Sequence, residues 1–142
     1  MQTNMISAEE LNLQLGKFCI LRAERGLSSS PENLRCLSNS IQYGHYSFLE
    51  NCDGKIVAYV TWAKVNKEAY FAAKQTLSAP KYEYEWDEGP ITLILDVLVK
   101  KGWESFLPKF LLAEARKQKF LCYLDNDKNS LKRVRYKSQH QL

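Results

Sequence analysis

Residues Trp86 to Gly102 read WDEGPITLILDVLVKKG. Within them Ile91 to Val99 form the most apolar run of the chain, interrupted by one charge, Asp96. This density of β-branched and aliphatic side chains predicts a strand buried on both faces. Gly89-Pro90 opens it and Lys100-Lys101-Gly102 closes it, both being effective breakers. An ionised carboxylate inside such a run is costly unless it is paired or hydrogen-bonded. Asp96 is therefore near a strand end, satisfied by a neighbour, or functional. As a functional group it would orient a base or balance the charge of an imidazole. As a structural group it would accept from a backbone N–H.

Working back from that strand, Ser78 to Glu88 is a polar, tyrosine-rich connection, and Lys67 to Leu77 predicts a short helix. Before it, Tyr46 to Glu50 and Lys55 to Ala63 read as antiparallel strands. The turn between them contains Asp53-Gly54, a strong hairpin signal. In the second strand both alternating sets, Ile56, Ala58, Val60, Trp62 and Val57, Tyr59, Thr61, are largely apolar, which predicts a central position. Ser30 and Pro31 start a helix with Leu34, Leu37 and Ile41 on one face, ending near Gly44. The first helix, Ala8 to about Ala23, opens on the capping box Ser7-Ala8-Glu9-Glu10 and stops at Gly26. Its spaced positions are Leu11, Leu15, Phe18 and Arg22.

Working forward, Trp103 to Lys119 predicts a fourth helix, with Pro108 tolerated in its first turns, and Phe120 to Leu124 a short strand. From Asp125 the chain is polar and basic, with Lys128, Lys132, Arg133, Arg135 and Lys137. It forms either an edge strand, Leu131 to Tyr136, or a tail. The order α-α-β-β-α-β-α-β predicts one α/β (α+β) domain with a mixed central sheet flanked by helices. We place the domain at residues 1–124 and the basic C-terminal edge strand or tail at 125–142.

The totals narrow the function classes. A chain of 142 residues with 45% hydrophobic residues is one globular domain with a real core. Its net charge of +4 permits an acidic partner without specifying nucleic acid, and none is expected. The four cysteines, Cys19, Cys36, Cys52 and Cys122, are scattered and lack zinc-ligand spacing. Reduced thiols, no apolar run near ~18 residues and no secretory leader make a cytoplasmic protein without a transmembrane segment the expectation. No glycine-rich phosphate loop and no GxSxG elbow is present. We expect no bound cofactor and no metal.

Beside Asp96, two further residues are candidates. His45, between Gly44 and Tyr46, is either a general base paired with Asp96 or a surface histidine beside a turn. His140 lies in the basic tail and is expected to be inert. Ser28, within Ser28-Ser29-Ser30, is either part of a site or loop and capping chemistry.

Trp86, Gly89, Asp96 and Gly102 together resemble a pattern of the hemolysin-activator family, the toxin-activating lysine acyltransferases. Ala58-Tyr59-Val60-Thr61-Trp62-Ala63 is similar to a second block of that family, with Tyr46 before it. The resemblance covers Leu11 to about Leu124 and is most specific in its middle. It implies an acyltransferase-like fold related to the N-acetyltransferases. The implied activity is transfer of a fatty acyl group from acyl carrier protein, as co-substrate, to a lysine of a bacterial protein toxin. It also implies dimerisation and a role for Asp96 in supporting a catalytic histidine. The chain departs from the pattern at that histidine: Ser28 falls at its position, and the small-Pro-Leu-His-Arg loop is absent. Val97 replaces an aromatic residue, and Lys100-Lys101 an Ala-Pro. A serine hydroxyl does not titrate near neutrality, and loss of a positioned base costs roughly 10²- to 10⁴-fold in rate. Two expectations follow: a divergent enzyme using Asp96 with His45 or Ser28, or a catalytically degenerate member that binds a toxin as an immunity or chaperone-like protein. For the second, Tyr82, Tyr84 and Trp86, interleaved with acidic residues, would form an exposed aromatic interface.

Overall fold

Ser7 caps the first helix, α1 (Ala8–Glu24), by accepting from the Glu10 N–H at 3.1 Å. Ser30 caps α2 (Pro31–Gln42) in the same way through Asn33. Each oxygen satisfies one of the donors that a helix N-terminus leaves open. These elements belong to a computed structural model that describes residues 6–76, 86–87, 89–117, 120–125 and 130–134.

The hairpin β1 (Tyr46–Glu50) and β2 (Ile56–Val65) turns where Asp-Gly predicted it. Asn51 Oδ1 accepts from the Asp53 and Lys55 N–H groups, and Gly54 adopts a φ of 79°. Helix α3 (Lys67–Thr76) follows, then the apolar strand β3 (Ile91–Val99). A single 3₁₀ turn, Glu104–Phe106, precedes α4 (Leu107–Lys117), so the fourth helix begins later than Trp103. Pro108 then lies at the second helical position, where its missing N–H is harmless. β4 (Phe120–Asp125) and β5 (Ser130–Val134) complete the chain order. Leu77, the tyrosines of the 78–85 connection, Gln118, Lys119 and residues from Arg135 onward, His140 included, lie outside the described residues.

The five strands form one mixed sheet in sequential order, β1-β2-β3-β4-β5. All neighbours are antiparallel except β3 and β4, which are parallel and joined through α4. The basic segment after Asp125 thus contributes an edge strand, pairing Leu121 with Val134 through Asp125 with Ser130.

Helices cover both faces of the sheet. One face packs Phe18, Leu21, Leu37 and Ile41 of α1 and α2 against Tyr59 of β2, with Leu98 beside them. Farther along the same face, Ala69 and Ala73 of α3 and the Trp86 ring pack on Ala63, Val65 and Leu93. The opposite face packs Phe110, Leu107 and Leu111 of α4 on Ala58, Val60, Trp62, Ile94 and Val99. β2 is central, and its two alternating sets serve the two layers.

Trp86 corrects one expectation. It is fully buried instead of standing in an exposed aromatic interface. Its indole meets the small residues of α3, and its Nε1 lies 3.4 Å from Ser40 Oγ. The adjoining chain approaches β2 so closely that a Cβ on Gly89 would run into the Val65 carbonyl and the Asn66 nitrogen. Only glycine tolerates that approach.

Candidate functional site

A charge on the apolar stripe of α1 builds the first cluster. Phe18, Leu21 and Arg22 share the face that meets β2, because positions three and four apart coincide on a helix. Arg22 is consequently buried and must be satisfied. Its Nη1 donates to Tyr59 Oη and to Asp96 Oδ2, each at 3.1 Å. Its Nη2 donates to the Ser28 carbonyl at 2.8 Å and its Nε to Ser29 Oγ at 3.1 Å. Tyr59 donates its own hydroxyl to Asp96 Oδ2 at 2.6 Å.

The electrostatics follow from that geometry. Burial alone would lower the Arg22 pKa, but the Tyr59 hydrogen bond and the Asp96 charge more than reverse it, so the guanidinium is held more firmly protonated. Burial, with Asp96 adding to it, pushes the Tyr59 phenol far above its ordinary value. The cluster is a fixed, charged hydrogen-bond network with no titrating member near neutrality among Arg22 and Tyr59.

The second cluster lies on the other side of the sheet. His45 Nε2 is 3.3 Å from Asp87 Oδ1. The imidazole stacks on Trp62, with centroids 6.1 Å apart and planes within 17°. Both rings are more than nine-tenths buried. Asp87 reaches this place because it forms an isolated parallel bridge with Lys64 at the edge of β2. Burial lowers the His45 pKa and Lys64 adds to that, while Asp87 opposes it. The net result favours a neutral imidazole. With its one N–H directed at the carboxylate, its lone pair falls on Nδ1. Nδ1 of His45 and Nε1 of Trp62 are the two buried side-chain atoms without a hydrogen-bond partner among the described residues.

A bulge separates the clusters. Thr61 pairs with Asp96, but Trp62 pairs with Ile94, so Leu95 is an extra residue on β3. Leu95 packs toward α3 and Asp96 reaches Tyr59, so these successive side chains share the α1–α2–α3 face. Ile94 and Val97 face α4. Without the bulge, regular alternation through Leu95 would have turned Asp96 toward α4, where His45 and Trp62 lie. The structure therefore places the three sequence candidates in two groups. Asp96 and the Ser28 backbone meet through Arg22, with the Ser28 side chain exposed. His45 pairs with Asp87 on the opposite face.

The bulge coincides with an opening in the sheet. The parallel ladder between β3 and β4 runs from Ile91–Phe120 to Ile94–Tyr123. β3 continues beyond it to Val99. Thr92, Leu93 and Ile94 are buried, whereas Leu95 through Leu98 are only half-buried. Among the described residues the β3–β4 pairing stops at Ile94 while β3 continues, half-buried through Leu98 and buried again at Val99.

Sequence reasoning noted Arg22 only as a spaced position and missed its role. A cation among Leu11, Leu15 and Phe18 on an apolar stripe was the available signal. Asp87, one residue after Trp86, carried no comparable local signal. Among the described residues no three His, Cys, Asp or Glu side chains group as a metal site, and no helix is long and apolar enough to cross a membrane.

No protein-family model matches the chain, and no curated protein matches it in sequence. Its fold is similar to a solved structure described as the GphF GNAT-like decarboxylase in complex with isobutyryl-CoA. That similarity has a TM-score of 0.53 at 18% identity and covers 87% of this chain and 65% of the other. The chain thus spans just under two-thirds of that structure's length. The fold is α+β and, by that similarity, GNAT-like (acyltransferase-like).

Proposed function

We propose that this chain is an acyl-thioester-dependent acyltransferase, and that the finer family reading applies to it: a fatty acyl group passes from acyl carrier protein to a lysine of a bacterial toxin. The observation that carries the first part is the opening beyond Ile94, where a bulged central strand leaves its parallel neighbour. A thioester arm is narrow, extended and rich in amides, and an opened strand offers unpaired backbone groups for such a chain. The complex of the GNAT-like neighbour with isobutyryl-CoA supports this use of the fold; decarboxylation belongs to that neighbour. The toxin acceptor rests on the resemblance of Trp86, Gly89, Asp96 and the Ala58–Ala63 block to the toxin-activating enzymes.

A second reading has its own observation. Arg22 binds Asp96 Oδ2 and the Ser28 carbonyl, so the residue at the place expected for the family's histidine is tied to a structural cation. That favours a catalytically degenerate, toxin-binding protein of immunity or chaperone type. Titration calorimetry with octanoyl-CoA and octanoyl-loaded acyl carrier protein separates the readings, followed by mass spectrometry of the candidate toxin after incubation. Thioester binding with a lysine adduct establishes the enzyme. Toxin binding without either establishes the binder.

A further inference from the structure

Two polar groups in the core are left without partners among the described residues, and they are neighbours. His45 Nδ1 presents a lone pair and Trp62 Nε1 presents an N–H, on rings that stack at 6.1 Å. Buried polar groups are nearly always hydrogen-bonded, and leaving one unpaired is costly. A cost incurred twice in adjacent side chains points to a missing occupant that supplies one donor and one acceptor.

The register locates this pair. His45 accepts through its carbonyl from the Trp62 N–H at 3.0 Å, and Trp62 is opposite Ile94. Ile94 is the last residue of β3 that pairs with β4. His45, Trp62 and Ile94 therefore form one row across the sheet, ending where the opening begins. Adjacent strands are about 4.8 Å apart, so the row spans about 10 Å. Directly opposed residues share a face, and Trp62 and Ile94 lie together against α4. The apolar cluster of Ala58, Val60, Val97 and Phe110 continues that face.

From this juxtaposition we infer that His45 is the proton acceptor and Trp62 the oxyanion donor of the acyl transfer, on the α4 face, and that Asp87 is the positioning residue that fixes the His45 tautomer. The inference rests on the thioester reading above. In the step, the acceptor amine nitrogen attacks the thioester carbonyl carbon and a C–N bond forms. The amine proton passes to His45 Nδ1. The carbonyl oxygen gains charge and takes the hydrogen bond from Trp62 Nε1–H. The C–S bond then breaks, and the thiolate leaves with the proton returned from Nδ1. Amine plus thioester gives amide plus thiol, so no further reactant is needed. A dry, prearranged donor of this kind acts on the developing charge and requires little reorganisation. Asp96 takes no part, since it lies on the other face with Arg22 and Tyr59.

The test uses the full chain with octanoyl-CoA, octanoyl-loaded acyl carrier protein and N-acetyl-lysine methylamide as acceptor. Calorimetry reads thioester affinity and thiol release reads turnover. His45→Gln should lower kcat by roughly 10²- to 10⁴-fold. Trp62→Phe, which keeps the ring and removes the N–H, should lower it by roughly 10²- to 10³-fold. Both should leave thioester affinity within about threefold of the parent. Nitrogen-15 NMR of the parent protein should show the Nδ1 resonance of His45 shifting on addition of the thioester and acceptor, a readout independent of any variant's folding. Wild-type turnover retained by both variants, with an unmoved Nδ1 resonance, overturns the inference and leaves the thioester reading standing. Thioester binding without wild-type turnover does the same. Absence of thioester binding by the parent overturns both.

Discussion

Tyr59 gives its hydroxyl to Asp96 at 2.6 Å although the two residues are not opposite each other in the sheet. The register places Tyr59 against Leu98 and Asp96 against Thr61. The diagonal contact exists because the extra residue Leu95 brings the carboxylate onto Tyr59's face, and because Arg22 arrives from α1 to bind both.

Removing one member of this network leaves the others short of partners. Tyr59→Phe deletes the shortest hydrogen bond and should cost about 1–3 kcal/mol. Asp96→Asn keeps the shape and removes the charge beside buried Arg22, and should cost a similar amount. Both changes should lower the urea midpoint without changing the m-value.

Alkaline stability depends on the same phenol. Tyr59 is raised above its ordinary 10.0 in the folded chain, so the folded state retains a proton that the unfolded state loses. This contribution is fully present below about pH 10 and is lost as pH rises above it. A urea midpoint that falls between about pH 9.5 and 11 in the parent should fall less in Tyr59→Phe.

Acid stability depends on His45. Its pKa is lowered from 6.5 by burial, so the unfolded state binds more protons through that range. Stability rises with pH through this window, is complete above about pH 6.5 and declines on acidification. In His45→Gln, denaturant melts from about pH 7.5 down to 5 should show a shallower decline. An unchanged slope would place the histidine in a solvated setting.

Two glycines should respond in opposite directions to alanine. Gly89→Ala forces a methyl into the Val65–Asn66 backbone and should cost more than ~2 kcal/mol through strain at the β2 end. Gly16, inside α1, has nothing within 4 Å of its would-be Cβ. Gly16→Ala should stabilise by about 0.5–1 kcal/mol, since alanine is the better helix former. Thermal melts of the pair distinguish a required close approach from mere chain freedom.

Truncating the centre of the α1 interface should be costly. Phe18 is fully buried and meets Tyr46, Phe48 and Tyr59 with ring centroids 4.7 to 5.8 Å apart. Phe18→Ala should destabilise by about 3–5 kcal/mol in chemical denaturation. Loss of that packing also frees the last turn of α1, which holds Arg22.

The element kinds were legible because their causes are local. Ser7 and Ser30 announce helix starts, Asp53-Gly54 announces the hairpin, and Gly89-Pro90 and Lys100-Lys101-Gly102 bracket β3. The doubly apolar pattern of 56–63 marked a central strand, and the structure extends it to Val65. A mixed α+β sheet followed from the order of those signals. The candidate site was only partly legible. Asp96 stood out as a charge in an apolar run, and the structure shows it partly buried and held by Arg22 and Tyr59, a cation and a phenol distant in sequence.

The sequence by itself determined which segments become helices and strands, where they stop, and which side chains must be buried. Those depend on capping, breakers and apolar period, which act over a few residues. Only the tertiary structure decided which buried polar groups meet. Side chains alternate with a period of two, so the bulge at Leu95 puts Asp96 on the face opposite to the one that regular alternation from Ile94 would give it. It thereby separates Asp96 from His45 and gives it to Arg22. His45 instead receives Asp87, carried to the edge of β2 by the chain that Gly89 allows to pass close to Val65. The register of one strand against its neighbour sets both pairings, and no local run of residues encodes that register.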